Sequence, residues 1–191
     1  MRPPPHARDS TSTTRGRQSA VLPRWAMIAL ATAMSLVWAG TLWVTPHLDA
    51  DPALHTAALF VHLASLVVGF GAVLTVDWIA VLWLLDRRTL NDLSRTISGT
   101  HIPIWVGLIG LLLSGTVLGP HLDSSMTQLK LGLVLVVALN GVQAWAVYQQ
   151  LVMLDGRPVP RSLLLRCAAT ALTSQLGWWG ATIIGFANHQ A

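Results

Sequence analysis

Four ionisable residues lie within long apolar runs of this sequence, in positions where a charged group is costly and usually has a functional or structural partner. They are His62, Asp77, Lys130 and Arg166. A neutral imidazole can ligate haem iron or copper. A lysine ammonium can bind the carboxylates of an anionic molecule. These four residues are therefore the first candidates for a site.

His62 and Lys130 are predicted to lie at one depth, near the outer surface of a membrane. His62 lies about two turns into the second apolar run, and Lys130 lies at the start of the fourth. Together they could bind an anionic amphiphile such as a porphyrin, with the macrocycle at His62 and its propionates at Lys130. The alternatives are a histidine hydrogen-bonded to a neighbouring helix and a lysine that extends its ammonium to the outer surface.

Two further histidines extend this hypothesis to copper. His55 is seven residues before His62 and shares its helix face, and His121 lies in the next outer loop. His62, His55 and His121 are the predicted metal ligands. His55 and His62 are about 10 Å apart along a helix axis, which is too far for both to bind one ion directly. Solvated loop histidines are the alternative.

Asp77 and Arg166 are predicted to form a structural ion pair in the inner leaflet, because an unpaired charge there would cost several kcal/mol. A proton or ion pathway through these two residues is the alternative, and it would suit a small transporter.

The elements that position these residues are predicted to be about five transmembrane helices of an all-α bundle. Hydrophobic residues make up 53% of the chain and charged residues only 10%, against about 25% in soluble domains. Residues 1–24 form a basic tail that is predicted to be disordered. The predicted spans cover residues 25–44, 55–85, 102–118, 129–151 and 163–186 of the bundle formed by 25–191. A polar loop is expected at residues 86–100.

Small residues follow one face of several spans. Gly107, Gly110 and Ser114 share a face of the third span, and Gly177 and Gly180 share a face of the fifth. Such stripes let helices approach closely in lipid, so we interpret them as packing surfaces.

Arginine positions predict the orientation. All eleven arginines lie in the N-terminal tail, the second-third loop, or the fourth-fifth loop with the start of the fifth span. The positive-inside rule then places the N-terminus in the cytoplasm and the C-terminus outside. A cleaved signal peptide is the alternative for the first span. The membrane accounts for the net charge of +4 without nucleic acid. The single Cys167 excludes a CxxCH haem-attachment motif.

Two stretches resemble the copper-resistance D and HemJ-type protoporphyrinogen oxidase membrane proteins. Phe60-Val-His-Leu-Ala-Ser-Leu-Val-Val-Gly-Phe-Gly, closing with Leu85-Asp-Arg-Arg, resembles the opening helix of those proteins, and Leu129-Lys-Leu-Gly-Leu-Val-Leu-Val-Val resembles their Lys-Leu helix. The resemblance implies that His62 is a haem-linked histidine and Lys130 a functional lysine. Where the HemJ pattern has Tyr-His, this chain has Asn140-Gly141.

The sequence thus predicts a multi-pass protein of the bacterial plasma membrane, with the lipid bilayer as its environment. The leading hypothesis is binding of haem, porphyrin or copper at an outer-leaflet site around His62 and Lys130, with a redox or metal-handling role. The competing hypotheses are a non-enzymatic accessory subunit of a larger membrane complex and a small transporter. The predicted protein partners are another membrane protein or further copies of this chain in a homo-oligomer. The sequence names no substrate or reaction.

Overall fold

The computed structural model describes residues 23–120, 122–154 and 157–189, with side chains described through residue 187. Within these ranges every regular element is helical, which confirms the all-α prediction. The elements are α1 (Arg24–Val44), a short 3-10 turn (Thr45–His47), α2 (Pro52–Leu84), α3 (Leu90–Val117), α4 (Ser125–Val152) and α5 (Arg161–His189). Nearly all of the predicted 1–24 tail lies outside the described residues.

Four of these helices are long and apolar enough to cross a membrane: α1 with its 3-10 turn, α2, α3 and α4. The described chain is therefore that of a membrane protein. The fifth helix, α5, has 29 residues but is less apolar, since it carries Arg161, Arg166, Thr170, Ser174 and Gln175.

Two helix starts differ from the sequence prediction because of capping residues. α2 begins at Pro52 instead of His55, where Asp51 accepts a hydrogen bond from the Leu54 N–H at 2.7 Å. α3 begins at Leu90, and most of the predicted 86–100 loop is therefore helical. Thr89 and Asp92 form a capping box there, each side chain accepting from the other residue's backbone N–H.

The helices form two antiparallel hairpins, α2–α3 and α4–α5, each packed closely within itself and lightly against the other. In the first hairpin, a Cβ on Gly107 would lie less than 3.0 Å from backbone atoms of Ser65 and Gly69. In the second, a Cβ on Gly177 or Gly180 would collide with Val137 or Leu133 of α4. The predicted small-residue stripes are therefore close-contact surfaces, as expected in lipid.

The first helix, α1, packs on the outside of these hairpins, against α3 and α4. None of its residues is buried. Its polar anchor is Trp38, whose Nε1 donates to the Leu131 carbonyl of α4 at 3.1 Å. α1 therefore joins the bundle from the outside, and its half-buried Met34 packs against the hydrophobic cluster at mid-bundle.

The seam between the hairpins differs along its length. Near mid-bundle it is closed by a cluster of Phe70, Val73, Leu108, Val137, Ala138 and Trp178. From there the seam runs to what we call the arginine end, where α2 joins α3 and α4 joins α5. That end carries Arg87, Arg88, Arg95, Arg157 and Arg161. The candidate site lies in this half of the seam.

Candidate functional site

A cavity of about 460 Å³ separates the two hairpins in the half of the bundle toward the arginine end. All four helices of the hairpins line it, through residues 73–84 of α2, 93–108 of α3, 137–151 of α4 and 164–178 of α5. The cavity exists because the hairpins pack closely within themselves but meet one another only at the central cluster and at a few further points. A volume of this size is typical of small-molecule sites.

Aromatic rings form part of the cavity wall. The His101 ring lies 4.4 Å from the Trp145 ring and 6.2 Å from the Trp105 ring, measured between centroids. Trp145 in turn lies 5.1 Å from the Tyr148 ring. Trp83 of α2 is a further lining residue. These rings present flat, polarisable surfaces to the cavity, so the wall suits a ligand with a flat apolar part.

Polar side chains on the wall are few and are mostly engaged. The Asp77 carboxylate accepts a hydrogen bond from Gln175 Nε2 of α5, which crosses the seam. Asn140 donates its Nδ2 to the Thr170 carbonyl at 2.9 Å, tying α4 to α5. The Gln175–Asp77 bond links the two hairpins beside the cavity, and the Asn140–Thr170 bond links α4 to α5 within one hairpin. Both bonds satisfy groups that would otherwise be costly within a membrane.

Trp178 lies where the cavity meets the central cluster, and it is only 4% exposed. Its ring stacks on Phe70 with centroids 5.5 Å apart and an interplanar angle of 3°. Its Nε1 is buried without a hydrogen-bond partner among the residues described. The side chain is therefore firmly packed while its one polar atom is unsatisfied.

The predicted ion pair between Asp77 and Arg166 does not form. Arg166 is exposed and donates to the Gln150 side chain of α4 at 2.8 Å, while Asp77 is paired with Gln175. Gln175 lies nine residues from Arg166, which is about 13 Å along the helix axis. Asp77 thus packs deeper in the bundle than Arg166. The predicted location of Asp77 and Arg166 in the same leaflet therefore did not imply contact between their side chains.

His62 lies outside this cavity, toward the opposite end of the bundle. Its Nδ1 is 2.9 Å from the Ser114 Oγ of α3, so the ring faces the interior of the bundle. Ser114 donates its only hydroxyl hydrogen to the Gly110 carbonyl at 2.5 Å. With that hydroxyl hydrogen on Gly110, Ser114 can accept from His62 in the tautomer that has its ring proton on Nδ1 and its lone pair on Nε2.

Lys130 is half-buried near the start of α4, and its predicted place in one site with His62 stays a prediction. The three predicted metal ligands stay a prediction. His55 is exposed in the first turn of α2, and His121 lies outside the described residues. Across the part of the chain that is described, no group of three histidine, cysteine or acidic residues is placed to hold a metal ion.

His101 was not among the predicted site residues, because the predicted loop ended at residue 100 and left His101 beside it. The sequence does contain a pattern that indicates His101. The capping pattern at Thr89 and Asp92 predicts that the helix begins before residue 100. With that start, residues that line the cavity recur at helical spacing along one face of α3. These residues are Leu93, Ile97, His101, Ile104, Trp105 and Leu108.

Comparisons of this chain with family models, with curated proteins and with solved structures found no match in any of the three. The resemblance to copper-resistance D and HemJ-type proteins therefore stays a prediction. The cavity and the His62 region are the parts of the described structure that bear on function.

Proposed function

We propose that this protein binds a lipid-soluble small molecule inside the membrane, in the cavity between hairpins α2–α3 and α4–α5. The cavity itself carries this proposal. Its volume of about 460 Å³ falls within the range of about 300–1,000 Å³ that ligand sites occupy, and its wall is apolar with a few polar groups. Asp77, His101 and Tyr148 are the wall groups that could orient a ligand.

The edges of the cavity suggest a route for entry. Leu84 of α2 and Leu165 of α5 line the cavity and are also 65% and 72% exposed, respectively. The cavity thus extends to the outer face of the bundle between two helices that touch only lightly. A ligand dissolved in the bilayer could enter there without passing through water.

This proposal needs α5 to cross the membrane beside α4. Leu165, Leu172, Leu176, Ile183 and Phe186 are all more than half exposed, and they form an apolar stripe on α5. From Leu165 to Phe186 the stripe extends about 30 Å, the thickness of the hydrocarbon core. The opposite face of α5 packs along α4, so the polar residues there are shielded from lipid.

The orientation that we propose puts the arginine end in the cytoplasm of a bacterial cell, with the C-terminus outside the plasma membrane. A C-terminal alkaline phosphatase fusion should then be active and a C-terminal fluorescent-protein fusion dark. An inactive phosphatase fusion together with a fluorescent C-terminal fluorescent-protein fusion would reverse the orientation and put the cavity in the outer leaflet.

Filling the cavity tests the proposed function. The full chain in detergent micelles would be titrated with 2,3-dimethylnaphthalene by equilibrium dialysis against empty micelles. Saturable binding is expected, and Ala171→Trp should abolish it because Ala171 lines the cavity. Ala169→Trp is the matched control, since Ala169 is exposed on the same helix outside the cavity. Unsaturable partitioning, or binding that survives in Ala171→Trp, would reject the proposal.

A second candidate is haem or porphyrin binding at His62 and Lys130, and one observation favours it. His62 Nδ1 lies 2.9 Å from Ser114 Oγ, and in the tautomer that donates from Nδ1 the Nε2 atom is the ligating atom, the arrangement typical of metal-bound histidine. Lys130 would bind a propionate. After growth with a haem precursor, a Soret band lost in His62→Ala and kept in His55→Ala would support this function. A protein without such a band under those conditions would reject it.

The accessory-subunit hypothesis predicts a different outcome. A protein that binds no naphthalene, shows no Soret band and copurifies in fixed ratio with one membrane protein would favour it over both binding functions.

A further inference from the structure

We infer that the ligand of the cavity is an organic cation with a flat aromatic part, and that the Asp77 carboxylate pairs with its charge. The inference rests on the proposed function and adds the chemical class of the ligand. It follows from the charges on the cavity wall, the direction of the Asp77 side chain and the aromatic rings of the wall.

The charges on the wall are unbalanced. Among the described residues that line the cavity, Asp77 is the one acidic side chain, and none is a lysine or an arginine. The side chain that pairs with Asp77 is the neutral Gln175. An ionised carboxylate within a membrane is costly unless a cation pairs with it. A cationic ligand would supply the charge that the wall lacks.

The Asp77 carboxylate points across the seam in which the cavity lies. Its Oδ2 atom accepts from Gln175 of α5, which belongs to the opposite hairpin. Its Oδ1 atom accepts no hydrogen bond within the described part of the chain and is not enclosed, since the enclosed unpaired side-chain atom there is Trp178 Nε1. Because Asp77 lines the cavity, a molecule inside it can pair with this second oxygen.

Aromatic rings lie at the same depth as Asp77. Gly69 of α2 meets Gly107 of α3 in close contact. Asp77 lies eight residues beyond Gly69 toward the arginine end, and His101 lies six residues beyond Gly107 in the same direction. At about 1.5 Å per residue, the two positions differ in depth by only about 3 Å. His101 in turn contacts Trp145, with ring centroids 4.4 Å apart.

The aromatic wall favours a cation as well as a flat ring. The rings of tryptophan and tyrosine attract a cation that lies within about 6 Å of their centroids, and the attraction is stronger where water is excluded. The lining residues of these two types are Trp83, Trp105, Trp145, Trp178 and Tyr148. An anionic ligand would be repelled by the carboxylate, and a neutral ring compound would leave it unpaired. An aromatic cation therefore fits this wall best.

A matched pair of probes tests the class. The cation is trimethyl(naphthalen-2-ylmethyl)ammonium, and the neutral probe is 2-neopentylnaphthalene, in which a carbon atom replaces the nitrogen. The two probes have nearly the same shape and differ in charge. Dissociation constants would be measured on the full chain in micelles of an uncharged detergent, by equilibrium dialysis against empty micelles. A pH of about 8 favours the carboxylate and the neutral imidazole.

The wild-type protein should bind the cation about tenfold more tightly than the neutral probe. Asp77→Asn keeps the size of the side chain and removes its charge, so it should weaken cation binding about tenfold and leave binding of the neutral probe unchanged. Asp86→Asn is the control, because it removes the same charge from an exposed residue that does not line the cavity. The φ of 56° at Asp86 suits asparagine equally well, so this variant should change neither constant.

The outcomes separate the two proposals. Equal binding of the probes by the wild-type protein, or an Asp77→Asn protein that keeps the preference for the cation, would overturn the inference and leave the binding function standing. Failure of the wild-type protein to bind either probe would overturn both. If Asp77→Asn binds neither probe, Asp77→Glu decides because it keeps the charge. A retained preference for the cation in Asp77→Glu supports the inference, and a lost one overturns it.

Discussion

The interface inside hairpin α2–α3 and the seam between the two hairpins are built in opposite ways. Inside the hairpin, backbone meets backbone at Gly69 and Gly107, and no space is left for a methyl group. Along the seam, large side chains such as Phe70 and Trp178 close the middle, and the half toward the arginine end stays open. In lipid, close helix contact comes from small residues, so bulky residues at a seam keep helices apart and leave a chamber.

The largest expected effect tests the closed interface. Gly107→Val would drive a branched side chain into the backbone of α2, and we expect a loss of about 3 kcal/mol in the free energy of unfolding. Gly71→Val is the control, because a Cβ on Gly71 meets nothing within 4 Å. Thermal unfolding in detergent would measure both. Equal losses would mean that the glycine contact contributes nothing specific.

The same enlargement inside the central cluster and in the cavity should have opposite effects. Ala138 is 2% exposed in the closed part of the seam, and Ala138→Leu should destabilise the protein by about 2 kcal/mol through overpacking. Ala144 lines the cavity, and Ala144→Leu should be neutral or stabilise by up to about 1 kcal/mol through cavity filling. Melting temperatures of the two variants check this. Equal destabilisation would indicate that the cavity is not open space.

The half-buried contact of Asp77 and the exposed contact of Arg166 should also differ in their contribution to stability. Gln175→Leu leaves the Asp77 carboxylate without its partner, and we expect a loss of about 2 kcal/mol. Gln150→Leu removes the corresponding partner of the exposed Arg166 and should cost less than about 0.5 kcal/mol. Denaturation midpoints would compare the two variants. Equal losses would contradict the assigned burial of the two contacts.

The smallest expected effect is a coupling near zero. Asp77→Asn and Arg166→Gln should have additive effects, within about 0.5 kcal/mol, because the two residues have separate partners. A double-mutant cycle by thermal unfolding measures this coupling. A coupling well above that value would restore the ion pair that the sequence predicted.

Several features were predictable because they depend on one helix at a time. Helical periodicity placed Gly107 and Gly110 on one face and Gly177 and Gly180 on another, and both faces are close-contact surfaces. The inward direction of His62 follows from the cost of exposing a polar ring to lipid. The early start of α3 was also readable from the capping box at Thr89 and Asp92.

The pairing of Asp77 was not predictable in the same way. Position in the sequence gives the depth of a residue to within a turn or two, and Arg166 was the obvious opposite charge in that leaflet. Depth does not say which residue faces Asp77 across the seam. The lateral fit of α2 against α5 brings Gln175 there instead, and the arginine extends to the surface.

By itself, therefore, the sequence determined the class of protein, the number of helices, the faces that pack and the end that carries the arginines. Those properties come from composition and from periodicity along single segments. Only the tertiary structure decided that a chamber opens between the hairpins and that His101, Tyr148 and Trp178 share its wall. The volume between two hairpins depends on the summed fit of four helices, and no single segment encodes that fit.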